Sequence, residues 1–154
     1  SLQKEFSIEK ISFKNTFVSI LIAFLMAAFL IKITDLKDNI ITKNTYFSYI
    51  YYIIVSSTIG PFVEELFSRG VIYNYLIKKT NIIFSIIIIN IWFVIAHLHL
   101  NKENMILFLI SIFIIGSIFT LERYYYKNLV PSIISHAVFN LLTGLYTLSL
   151  INII

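Results

Sequence analysis

The chain has 154 residues, 58% of them hydrophobic and only 13% charged, with a formal net charge of +4 and no cysteine. A soluble domain is about half apolar and roughly a quarter charged, so this composition excludes an ordinary soluble domain and points to an integral membrane protein. The absence of cysteine excludes a disulfide framework and a thiolate metal site, and the small positive surplus fits loop lysines at lipid headgroups rather than a nucleic-acid surface.

One domain is expected at this length. Heavy use of Ile, Lys, Asn, Phe and Tyr, whose codons are A/T-rich, points to a bacterial source. The chain begins at Ser1, which leaves room for segments upstream.

Five apolar segments follow one another. The first runs from about Phe13 to Ile33 behind Lys4, Lys10 and Lys14; it lacks the small-residue cleavage site of a signal peptide and further spans follow it. The second begins near Tyr46 and ends before Lys78 and Lys79. Its roughly 33 residues would extend roughly 50 Å as one helix, against a hydrocarbon core of about 30 Å. Gly60 and Pro61 lie in its middle, and proline cannot donate the helical hydrogen bond. The sequence predicts a kink there, or a new helix with Pro61 at its first position. Tyr46, Tyr49, Tyr51 and Tyr52 before the break, and Tyr73 and Tyr75 after it, read as interfacial belts.

The third segment covers about Ile82 to Leu100, the fourth about Met105 to Leu121, and the fifth starts near Leu129 and reaches the C-terminus. The loops between them are short and polar. An all-α, multi-pass membrane bundle of about five helices is therefore predicted. Basic residues concentrate on the side of the N-terminus, the second loop and the fourth loop, which favours a cytoplasmic N-terminus.

Of the eight acidic residues, Glu5, Glu9, Asp35, Asp38, Glu103 and Glu122 read as terminal, loop or segment-end groups. Only Glu64 and Glu65 fall within a span. An ionisable group at bilayer depth costs at least about 2.5–3.5 kcal/mol and ordinarily faces a bundle interior. Glu65 and Arg69 are four residues apart, so they share a helix face and can pair. Glu64 points about 100° away and lacks that partner.

His97 lies in the third segment, one turn after Phe93. His136 lies in the fifth, one turn before Asn140. If the second and third segments form a hairpin near Lys79, the depths of Glu64 and His97 differ by roughly 5 Å, so the two can meet. The same count places His136 shallower, with Asn140 closing part of the gap. His99 reads as interfacial.

A membrane cluster of Glu, two His and Asn suggests hydrolysis. No GxSxG elbow is present for a serine nucleophile, both aspartates fall in the first loop, and HExxH is absent. Ser56, Ser57, Ser68 and Ser135 read as helix-packing serines. What remains is a glutamate and a histidine activating water, with a second histidine and an amide as donors to an oxyanion. A carboxylate withdrawn from water gains proton affinity, which suits a general base. Three other readings stay open. Glu64, His97 and His136 could form a His₂Glu zinc set. The cluster could be purely structural, in an immunity or scaffold protein. It could also carry protons in a small transporter component, although no inverted repeat is visible.

Glu64-Glu65-Leu66-Phe67-Ser68-Arg69, then Phe93 to His97, then His136 to Asn140 reproduce in order the EExxxR, FxxxH and HxxxN elements of the CAAX protease and bacteriocin-processing (Abi) family, which this chain resembles over about residues 60 to 145. Gly116 and the KNLVPSIISH approach to His136 are also similar. The resemblance implies a single membrane domain, with residues 1–45 as N-terminal segment and first helix and residues 46–154 as a four-helix catalytic core. It implies an intramembrane endopeptidase without a cofactor, acting on a peptide or protein substrate at a cell membrane. Bacterial members are associated with peptide maturation, bacteriocin immunity or peptide signalling. Glu64 and His97 would activate water, Glu65, Arg69 and Phe93 would support them, and His136 with Asn140 would hold the oxyanion.

Overall fold

The computed structural model describes residues 12–34, 46–98 and 104–151. These form α1 (Phe13–Thr34), α2 (Tyr46–Ser57), α3 (Ile59–Glu65), a π-helical turn (Leu66–Ile72), α4 (Tyr73–Leu76), α5 (Ile82–Ala96), α6 (Met105–Tyr126) and α7 (Val130–Ile151). No strand occurs among the described residues, and the protein is an all-α membrane helix bundle. Among the described residues, three helical stretches are long and apolar enough to cross a membrane: Phe13–Ile33, Ser48–Leu76 and Met105–Tyr126. The helix Ile82–Ala96 is apolar but has only 15 residues.

α7 is the central element. It packs against α1, α2, α3 and α6, while α5 packs mainly on α6 and touches the π turn. Ala23, Met26, Ala27 and Leu30 of α1 recur at helical spacing and bury against Ile115 and Phe119 of α6 and Phe139 of α7. Small residues in this stripe let the helices approach closely, which is how packing drives association where lipid is as apolar as the side chains. A second cluster joins Phe93 of α5 to Phe108 and Ile112 of α6.

The predicted break in the second segment is present, but two residues earlier relative to proline than a Pro61-first helix requires. α2 ends at Ser57, and Pro61 sits third in α3. Pro61 cannot donate to the carbonyl four residues back, that of Ser57, so the first helix stops there. One turn later the chain widens into the π turn, which holds Ser68, Arg69 and Gly70 buried. π insertions of this kind occur frequently at functional sites.

The fourth segment is longer than expected. α6 continues through Tyr126, and Lys127 ends it in the left-handed conformation (φ 49°). Asn128 Oδ1 then accepts from the Val130 amide at 3.0 Å and starts α7. Asn81 Oδ1 caps α5 in the same way, accepting from the Phe84 amide at 2.9 Å. These caps satisfy amides at helix starts that have no intrahelical acceptor.

Candidate active site

Arg69 is wholly buried and is held on every side. Its Nη1 donates to Glu65 Oε1 at 2.9 Å and to Ser68 Oγ at 3.0 Å. Nη2 donates to the Gly116 carbonyl at 2.8 Å and to Asn90 Oδ1 at 3.2 Å, and Nε donates to Thr120 Oγ1 at 3.3 Å. The guanidinium also lies 4.7 Å from the centroid of the Phe93 ring. The π turn, α5 and α6 thus converge on one cation. Phe93, expected to support the site, meets the guanidinium with its ring face.

Gly116 makes that convergence possible. A Cβ at this position would be driven into Asn90 Oδ1 and would stand 3.2 Å from Arg69 Nη2. Gly116→Ala is therefore expected to destabilise the bundle by about 1–3 kcal/mol, the usual cost of overpacking. Thermal unfolding in detergent micelles measures this; an unchanged melt would mean that Arg69 is not seated against this backbone.

Glu65 is also wholly buried, and it serves two partners. Besides Arg69, its Oε1 accepts from His136 Nδ1 at 3.0 Å. His136 is buried, stacked on Phe119 with ring centroids 4.8 Å apart and an interplanar angle of 23°. Its other nitrogen, Nε2, lies 3.9 Å from Glu64 Oε2. A row therefore runs Arg69, Glu65, His136, Glu64, with cationic or proton-bearing groups alternating with carboxylates.

Glu64 differs from its neighbour. Its side chain is 43% accessible, whereas that of Glu65 is 0% accessible. Its Oε2 is buried without a hydrogen-bond partner, and the residue lines a cavity of about 500 Å³. The cavity wall also includes His97, Asn140, Phe67, Trp92 and Phe139. Most of the wall comes from one half of the bundle, where α2 starts and α1, α5 and α7 end.

Of the residues singled out from the sequence, Glu64, Glu65, Arg69, Phe93 and His136 form one contiguous cluster. His97 lies just beyond α5 rather than within it. Its Nδ1 is 2.7 Å from the Phe93 carbonyl, and its ring lies 4.6 Å from that of Phe93. A carbonyl only accepts, so Nδ1 is the donor in this contact. His97 reaches the site through the shared cavity rather than through His136. Asn140 donates from Nδ2 to the Ser56 carbonyl at 2.7 Å, next to the break before Pro61, and its side chain lines the cavity as well. His99 lies outside the described residues. No group of three or more His, Asp or Glu side chains among the described residues is arranged to hold a metal ion.

Two contributors escape a sequence reading that looks only for ionisable groups. Asn90 and Thr120 complete the Arg69 cage, and a lone amide in the run IIIINIWF was the available signal for the first. Glu122 was misplaced outright. Read as a segment-end group, it is 4% exposed inside α6, because the helix runs five residues past the expected end.

Comparison with curated proteins and with solved structures gives no match. The family described as "Type II CAAX prenyl endopeptidase Rce1-like" matches residues 46–142, from the first residue of α2 to two residues beyond Asn140. That stretch contains all three sequence elements and every residue of the cluster around Arg69. The chain therefore belongs to the Rce1-like family of type II CAAX prenyl endopeptidases, a family of membrane proteases.

Proposed function

We propose that the protein is a multi-pass endopeptidase of the cell membrane that hydrolyses a peptide or protein segment entering its cavity, with Glu64 as general base. The observation that carries this reading is the asymmetry between two adjacent glutamates. Glu65 is sealed between Arg69 and His136, while the Glu64 side chain is 43% accessible and lines the cavity.

A water held between Glu64 and His97 gives one proton to Glu64 as its oxygen attacks the substrate carbonyl carbon. Charge develops on the carbonyl oxygen. His136, with its Nδ1–H given to Glu65 and a second proton on Nε2, supplies one donor to it as the imidazolium. Asn140, which uses one amide hydrogen on Ser56, supplies another. Each such donor is worth about 3–4 kcal/mol in comparable sites. The C–N bond then breaks, Glu64 returns the proton to the departing amine, and the products are a carboxylic acid and an amine. No cofactor enters this sequence. Peptide maturation, bacteriocin immunity or peptide signalling is the process this activity would serve.

The test is cleavage of peptides encoded beside the protein's own gene by the purified chain in micelles, followed by mass spectrometry. Cleavage that persists after chelator treatment is expected. Activity abolished by chelation and restored by zinc would instead make Glu64, His97 and His136 metal ligands. A folded chain that cleaves nothing, yet confers immunity in cells, would make the protein a non-catalytic member.

A further inference from the structure

Glu122 carries a buried carboxyl group that neither the family elements nor the mechanism uses. It stands on α6 one residue short of a full turn after Phe119, the ring on which His136 stacks. Its Oε1 accepts from Ser135 Oγ on α7 at 2.8 Å, and the same hydroxyl lies 3.0 Å from the Ser19 carbonyl on α1. Ser19 and Ser135 are both completely buried. The adjacent Arg123 is turned elsewhere, donating to Asn74 Oδ1 at 3.0 Å and lying over the Tyr73 ring.

Ser135 behaves unlike other serines of the bundle. Ser57, Ser111 and Ser117 each donate back to the carbonyl four residues earlier in their own helix, the usual habit of a hydroxyl within a helix. Ser135 instead reaches two other helices. Three elements meet at one hydroxyl, one residue before His136. α1, held at this point by Ser19, carries Leu30 eleven residues further on into the cavity wall.

We infer that Glu122 is a positioning residue: by fixing the Ser135 hydroxyl between α1 and α6 it sets the rotation and depth of α7, and with them the approach of His136 to Glu64. Glu122→Leu removes the acceptor, Glu122→Gln keeps an acceptor oxygen without the charge, and Ser135→Ala removes the shared hydroxyl. For a protein cleaving peptide as proposed above, Glu122→Leu should lower kcat by about 10–100-fold, since misplacement by about 1 Å costs on that order, with little change in KM. Glu122→Gln should recover most of that loss.

A second measurement does not depend on the proteolytic reading. In isotope-labelled histidine spectra of the full chain in micelles, Glu122→Leu and Ser135→Ala should shift the ring signals of His136 and leave those of His97 in place. Ser135→Ala serves if the leucine variant fails to fold. Unmoved His136 signals in a folded variant would overturn the inference, and so would a Gln variant as impaired as the Leu variant. A wild type that cleaves nothing, with variants that still shift the His136 signals, would sink the proteolytic reading and leave the positioning role standing.

Discussion

Glu64→Gln is expected to lower kcat by about 10²–10⁴-fold, the range associated with a general base, in a chain that remains folded and membrane-inserted. Both halves of that expectation come from the same geometry. Glutamine keeps the size and shape of the side chain but cannot take a proton from water. Glu64 makes no ion pair with Arg69, its side chain is 43% accessible, and its Oε2 stands 3.9 Å from His136 Nε2. The contact from Ser68 Oγ goes to the Glu64 backbone carbonyl, which the substitution leaves intact. The stability of the variant should therefore match wild type in a thermal melt while peptide cleavage disappears. A folded Glu64→Gln protein with full activity would remove Glu64 from water activation altogether.

How much of this was legible beforehand depends on whether the determining interactions lie within one helix. The separation of Glu64 from Glu65 was legible, because four-residue spacing to Arg69 selects one glutamate and leaves the other on a different face. The break near Pro61 was legible for the same kind of local reason. The π turn was not. Widening a helix by one residue is decided by what Arg69 finds on α5 and α6, and those partners are 21 to 51 residues away along the chain. Asn140 shows the same limit. Its position one turn from His136 suggested a donor beside that histidine, yet its amide is engaged by Ser56, 84 residues earlier. Glu122 is the clearest case. A run of Glu, Arg and three tyrosines before Lys127 has the composition of an interfacial loop. The partners that let its two polar side chains be buried, Ser135 for Glu122 and Asn74 for Arg123, belong to other elements. Within-helix spacing cannot reveal them.

Arg69→Met carries the largest expected effect on stability, a loss of about 3–5 kcal/mol, the usual consequence of removing one partner from a buried ion pair. The side chain is fully buried, and its loss strips donors from the Gly116 carbonyl, Asn90 Oδ1 and Thr120 Oγ1 at once. It also leaves the Glu65 carboxylate in the bundle with His136 as its remaining partner. Denaturant unfolding in micelles should therefore place Arg69→Met far below Glu64→Gln, although the two residues belong to one six-residue element. Combining Arg69→Met with Glu65→Gln tests the cause. If an unneutralised carboxylate is responsible for the loss, neutralising it should restore part of the stability, and the double variant should be more stable than the sum of the single effects predicts. A coupling energy above about 1 kcal/mol is expected for residues in direct contact within one network. Strict additivity would mean that Arg69 stabilises the bundle through Gly116, Asn90 and the Phe93 ring alone. Glu65 would then owe its place to His136, and the role of holding that histidine towards Glu64 would rest on it without help from the arginine.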